Sequence, residues 1–328
     1  MSFPYYDTDL APFYSRFWAT FAHFDGIHYL RVATHGYADW GSQAFFPLYP
    51  LLINFFTRVV GDPLYSGVIL SLLSLVLALI ALRRLFPTRP QLFLLVLSFP
   101  TAFFFLTLYT ESLFFALSLW FFVALREKHF WLAAILAGLA SATRLVGAFL
   151  AISLLIELLP RTLTIVHRSF FFLLSLSGLL LYMFFLYRAV GDPLLFFHIQ
   201  PVFGAGRSGG ELILLPQVIY RYGKIFVTTS FQTFPFWRAL LEFSLFSWAF
   251  STLVLKFRKL PPSVTAYLAL SLLLPSLTGT LSSLPRYILV LTPWLIPETR
   301  RGIWVYLVFC LPLAIICFIQ FARGIFVS

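Results

Sequence analysis

Long apolar runs alternate with short polar linkers along most of the chain. They predict helices near 64–82, 92–108, 111–125, 130–143, 145–158, 169–189, 236–255, 263–281, 286–297 and 302–322. Several are shorter than the roughly 20 residues of a full bilayer crossing. Short or broken helices persist in membrane proteins where neighbouring protein or a cavity covers their backbone, so the expected count is about nine or ten. Two further apolar stretches read differently. Residues 45–60 contain Pro47, Pro50 and Arg58. As a helix they would reach about 24 Å at ~1.5 Å per residue, short of a ~30 Å hydrocarbon core. Residues 212–232, next to Glu211, carry Arg221 and Lys224 among Tyr220 and Tyr222, a composition suited to a helix lying in the membrane interface. The first 43 residues are more polar and precede every span.

Composition narrows the class. Of 328 residues, 60% are apolar, 20% aromatic and 11% charged, against roughly 25% charged in an average soluble domain. Mean hydropathy is +0.92. A water-soluble fold could not hide that much apolar surface, which excludes a soluble enzyme, a disordered chain and a nucleic-acid-binding module. The expected fold class is all-α, a polytopic transmembrane helical bundle. The two cysteines, Cys310 and Cys317, are seven residues apart in one apolar run. A bridge is out of reach at that spacing, and both read as small apolar residues.

Charge then orients the spans. The net charge is +11, from 23 basic and 12 acidic residues. If residues 1–63 lie outside and 64–82 crosses inward, five short linkers fall inside. They hold 12 of the 23 basic residues, Arg83, Arg84, Lys256 and Arg258 among them, and only two acids, Glu127 and Glu298. Asp7, Asp9, Asp25, Asp39, Asp62, Glu111, Asp192 and Glu211 fall outside. This satisfies the positive-inside rule, and counting 45–60 as a span would invert it. The chain thus divides into an extracytoplasmic loop with an interfacial helix at 1–63 and a transmembrane domain at 64–328, which includes an extracytoplasmic loop at 190–235. Translocation of 1–63 then lacks a visible signal, since the first 20 residues hold Asp7, Asp9 and Arg16 and no apolar signal region. A transmembrane helix ahead of Met1 is the expected answer; unusual insertion of the first hydrophobic hairpin is the other.

Candidate chemistry concentrates on the outer side. In Phe24-Asp25-Gly26-Ile27-His28-Tyr29, read as a helix, Asp25, His28 and Tyr29 share one face, and His35 returns close to the same angle. The cluster is either a catalytic surface or a helix start with a favourable carboxylate and solvated histidines. Glu111 separates two apolar runs, which places a carboxylate at the outer mouth; it is either functional at membrane depth or a first-turn acid. Arg144 interrupts a nearly continuous apolar stretch, and a buried guanidinium needs a carboxylate or a phosphate. Arg286 and Tyr287 add a second outer cation with an aromatic neighbour. The loop 191–216 offers His198, Gln200, Arg207 and Glu211 among glycines, without the strand a dinucleotide fingerprint requires, and suits a lid. Arg58–Leu64 echoes Arg188–Leu194, which helix ends followed by Asp-Pro turns explain.

Taken in order, these residues resemble the PIG-V type glycosylphosphatidylinositol mannosyltransferase family and its bacterial relatives. The matching segments are Phe24-Asp25 with His28-Tyr29, Ala33 with Gly36-Tyr37, and Ala44-Phe45-Phe46-Pro47-Leu48-Tyr49-Pro50. They continue with Phe99-Pro100, Tyr109-Thr110-Glu111-Ser112, Thr143-Arg144, Gly191-Asp192-Pro193-Leu194 with Phe196 and Gln200, and Pro285-Arg286-Tyr287. Phe24 stands where the family often has Trp, and the family's usual first transmembrane helix is missing. The resemblance implies a bundle of the GT-C type in a bacterial inner membrane, active on the extracytoplasmic face. It implies transfer of a hexose, by the family mannose, from a polyprenyl-phosphate donor to a lipid- or glycan-linked acceptor, with inversion. By the same resemblance Asp25 is the base, Arg144 and Arg286 face the phosphate, and His28, Tyr29, Glu111, Gln200 and Tyr287 complete the substrate site. Membrane lipids are the surroundings and nucleic acid is not a partner. A divalent metal remains open, although the Asp7-Thr8-Asp9 tripeptide lies outside the matched region and reads as a solvated turn. The competing functions are a transporter or flippase of lipid-linked saccharides, which would favour paired inverted repeats, and a noncatalytic envelope-assembly protein.

Overall fold

A computed structural model describes residues 5–204 and 208–327. It is helical throughout, with no strand among the described residues. The first region contributes α1 (Arg16–Ala19), α2 (Asp25–His35) and α3 (Leu48–Val60). The bundle follows with α4 (Pro63–Leu85), α5 (Leu92–Leu97), α6 (Glu111–Arg126), α7 (Phe130–Ser141) and α8 (Phe149–Leu158). Next come α9 (Ile165–Val190), α10 (Leu195–His198), α11 (Leu215–Thr228), α12 (Phe234–Lys256), α13 (Pro262–Ser276), α14 (Leu284–Leu295) and α15 (Arg300–Ala322). Four of these, α4, α9, α12 and α15, are long and apolar enough to cross a membrane. Their outward faces carry exposed apolar side chains such as Leu181, Phe184, Phe309 and Ile315. So much contiguous apolar surface fits lipid rather than water, and the chain is a membrane protein.

Local sequence sets the helix ends. Gly61 closes α3 at φ +85°, and the Asp62 side chain then caps α4 by accepting from Tyr65 N at 3.0 Å, with Pro63 at the first position. The second copy of the echo repeats half of this. Gly191 closes α9 at φ +78°, and Asp192 Oδ1 accepts from Leu194 N at 2.9 Å. The helix-end explanation of the echo therefore holds.

The core is built on α6, which packs between α4 and α7. Every residue from Glu111 to Leu125 except Leu117 and Trp120 is buried, as expected of a helix that is apolar all round. Between α7 and α9 the backbones approach closely: a Cβ on Gly178 would lie 2.2 Å from the Gly138 carbonyl, and Ser141 Oγ accepts from Leu179 N at 3.1 Å. Small residues at such crossings are a membrane-protein signature. The 13-residue α3 turns Leu51, Phe55 and Val59 outward and Tyr49 and Ile53 inward. It is helical and too short to span, as its length suggested.

Two expected helices are interrupted or cut short, and these breaks, with the expected gap at Arg144, each deliver part of the site. Residues 92–108 do not form one helix. Pro100 cannot donate to the ladder; α5 ends at Leu97 and the chain resumes as a tight turn at Ala102–Leu106. Its buried polar backbone is satisfied by hydroxyls, with Ser112 Oγ donating to the Phe105 carbonyl at 2.6 Å. The abbreviated path leaves Glu111 fully buried in the protein, not at an outer mouth. The helices expected at 130–143 and 145–158 are separate, as read from the sequence; Arg144 between them is extended, before Leu145–Ala148 turns back against α7. Residues 263–281 stop at Ser276, just after Pro275, and an irregular loop leads to Arg286 in the first turn of α14.

Candidate functional site

A cavity of about 730 Å³ opens where these breaks face α2. Of the eight residues singled out by sequence, Asp25, His28, Tyr29, Arg144, Gln200, Arg286 and Tyr287 line it. Glu111 does not reach the surface; it lies behind the wall and joins the two arginines. Arg144 Nη1 and Arg286 Nε donate to the same Glu111 oxygen, Oε1, at 2.8 and 2.7 Å. Arg286 Nη1 donates to Asp25 Oδ2 at 2.6 Å. Two cations and two anions thus form one chain across α2, α6, the link between α7 and α8, and α14.

The cluster is dry on one side and open on the other. The Arg144 and Arg286 side chains are 9% and 6% exposed, and Asp25 is 28% exposed. Aromatic faces support both guanidiniums, Tyr287 at 4.4 Å from Arg144 and Tyr109 at 4.7 Å from Arg286. Among the described residues, Arg144 donates through Nη1 alone and Arg286 through Nε and Nη1. The remaining N–H groups are donors with no acceptor beside a cavity, the arrangement that holds a phosphate or carboxylate.

Asp25 begins α2, the N-cap residue Phe24 makes no side-chain cap bond, and the Asp25 carboxylate meets Arg286. One turn on, His28 lies flat on Phe45 (4.9 Å, 15°) and meets the edges of Tyr5 and Phe203 at 5.8 and 5.7 Å. Tyr29 is buried against Phe45 and Tyr49. Gln200 Nε2 donates to the Phe196 carbonyl at 2.9 Å. In front, Arg31 joins Asp39 at 2.8 Å, pairs with Asp9, and lies over the Tyr5 ring. Asp9 is thereby a structural partner, not the solvated turn expected from its tripeptide.

Other candidates fall elsewhere. His35 is exposed and bonds Thr34 Oγ1 at 2.8 Å. His198 pairs with Asp192 at 2.7 Å on the surface, and Arg207 lies outside the described residues. Cys310 and Cys317 are buried in α15. Among the described residues no three His, Cys, Asp or Glu side chains group as metal ligands. With both site carboxylates engaged by guanidiniums, the donor set does not fit a divalent cation.

Sequence reasoning missed Arg238, which lines the cavity from α12 with its Nε 3.8 Å from the buried Glu242. Two opposite charges four residues apart inside an apolar helix were the available signal. It also missed Trp40, 70% exposed on the cavity wall.

Burial pushes the His28 imidazole below its usual range, with Asp25 and Asp39 opposing and Arg31 assisting. His23 is lowered by burial too, partly offset by its bond to the Phe321 carbonyl. Between the lowered values and the ordinary value near 6.5, the unfolded chain binds more protons than the folded one. Stability therefore rises with pH in that window and falls as pH drops through about 6.5. Thermal melts of detergent-solubilised protein from about pH 5 to 8 should show this slope. His28→Gln should make it shallower; an unchanged slope would remove His28 from the account.

No family model, curated protein or solved structure matches the chain. The function is therefore read from the site's own geometry and from the ordered resemblance of its motifs.

Proposed function

We propose that this chain is a membrane glycosyltransferase of the GT-C type, akin to the PIG-V mannosyltransferases. It moves a hexose, by that resemblance mannose, from a polyprenyl-phosphate carrier to a hydroxyl on a lipid- or glycan-linked acceptor. The observation that carries the reading is one cavity in which a partly exposed carboxylate stands beside two buried arginines with donors to spare. A lipid phosphate is already a good leaving group. The protein's tasks are then to take the acceptor proton and to stabilise phosphate charge. Asp25 accepts the proton as the acceptor oxygen bonds to the anomeric carbon. The bond from that carbon to the phosphate oxygen breaks, and Arg144 and Arg286 receive the developing charge. One base and no covalent nucleophile correspond to a single displacement with inversion. His28, Tyr29 and Gln200 are placed to meet sugar hydroxyls, while Glu111 holds the arginines and does not touch substrate. The active face is extracytoplasmic, in a bacterial inner membrane.

The test is transfer of radiolabelled sugar from polyprenyl-phosphate-mannose by purified protein in liposomes, across a panel of hydroxyl acceptors. Transfer that disappears in Arg144→Met is the expected result. No transfer from any polyprenyl-phosphate hexose, together with movement of the lipid-linked sugar between leaflets, would replace this reading with a flippase.

A further inference from the structure

We propose that the end of α15 and the segment after it position the catalytic carboxylate. Phe321 and Phe326 clamp Phe24 in a backbone conformation natural to glycine, and that conformation fixes where Asp25 points. The inference rests on the transferase reading of the cavity.

Phe24 has φ +54° and ψ −114°. These are the angles of the first central residue of a type II′ turn, where glycine is preferred because a side chain crowds the backbone. The turn is closed, with Gly26 N donating to the His23 carbonyl at 3.1 Å. A bulky residue stays in such a conformation only where its surroundings over-determine it, and such residues gather at functional sites.

The surroundings here are specific. The Phe24 ring lies 5.8 Å from Phe321 and 5.3 Å from Phe326. His23 Nδ1 donates to the Phe321 carbonyl at 3.1 Å, a contact between positions 298 residues apart. Tyr109, whose ring supports Arg286, donates its hydroxyl to the His23 carbonyl at 2.9 Å. The turn is thus held by side chains from α15, from the residue before Thr110, and from residue 326. Asp25 is the next residue, and its carboxylate meets Arg286 at 2.6 Å. Relaxing ψ at position 24 would rotate the peptide that carries Asp25 and spoil that fit. Phe24 and Phe326 both reach the cavity wall, while Phe321 is fully buried. Ordinary packing needs no glycine-like backbone in a phenylalanine; aiming the next residue does.

The experiment compares full-length Phe24→Gly, Phe326→Ala and Phe326→Tyr with the parent protein in the liposome assay. Glycine adopts this turn without strain, which offsets part of the packing lost with the ring, so Phe24→Gly should still fold, with a modestly lowered melting temperature, yet lose the ring that is gripped. Both Phe24→Gly and Phe326→Ala should lower kcat by about 10- to 100-fold, the scale of a misplacement near 1 Å. The donor KM should stay within about twofold, because uniform binding is not what is lost. Phe326→Tyr, which keeps the ring, should restore the rate. Parental kcat in Phe24→Gly and Phe326→Ala would overturn the proposal while leaving the transferase reading intact. So would a raised donor KM with kcat unchanged, which would make Phe326 a binding wall. If the unmodified protein transfers no hexose at all, the transferase reading falls first and this proposal falls with it.

Discussion

Glu111→Gln should cost about 3–5 kcal/mol of stability, the usual loss when one member of a buried ion pair is removed. The reason lies in what remains. Arg144 and Arg286 are nearly inaccessible, and both donate to one Glu111 oxygen. Glutamine keeps an acceptor but removes the charge, leaving two buried guanidiniums to share Asp25. The loss should appear as poor recovery from membranes and a sharply lowered melting temperature in detergent. Adding Arg144→Met to Glu111→Gln rebalances the charge and should recover much of the stability without recovering sugar transfer. A single variant that melts like the parent would mean that Glu111 is not the cluster's counter-ion.

Asp25→Asn should behave in the opposite way: stable but nearly inactive. Asparagine Oδ1 still accepts from Arg286 Nη1, and Arg286 keeps its 2.7 Å bond to Glu111. What disappears, on the proposed reading, is the proton acceptor, worth about 10²–10⁴-fold in rate for general-base catalysis. The expected signature is a fall in kcat with an unchanged donor KM. Equal transfer by the variant would end the assignment of Asp25 as base. A rise in donor KM with kcat preserved would recast Asp25 as a binding residue. The contrast between the two carboxylates follows from depth, since Asp25 is 28% exposed and Glu111 is not exposed at all.

Much of the fold could be read from the chain because membrane helices announce themselves. The apolar runs at 64–82, 169–189, 236–255 and 302–322 match α4, α9, α12 and α15 within a few residues. Most of the site was legible for a related reason. An ionisable residue in an apolar setting is costly and stands out, so Asp25, Glu111, Arg144 and Arg286 are conspicuous in the chain itself. The depth of Glu111 was not legible, because it depends on how far the chain travels between Pro100 and Thr110, and an apolar run does not reveal its own backbone path. The clamp on Phe24 was hidden differently. With 41 phenylalanines in the chain, no pattern marks the few that matter, and a positive φ leaves no trace in a sequence when the residue is not glycine.

The charge balance of the floor bears on how a substrate arrives. Two arginines matched by two carboxylates project little field into the surroundings, and beyond a Debye length of about 8 Å at physiological salt even that is screened. Such a site does not steer a distant anion through water, as a cleft lined by one sign of charge does. On the proposed transferase reading, an anionic lipid carrier then comes to it by lateral diffusion, held at the right height by its own hydrocarbon. The speed of capture should then follow the mole fraction of the carrier in the bilayer and be nearly indifferent to ionic strength.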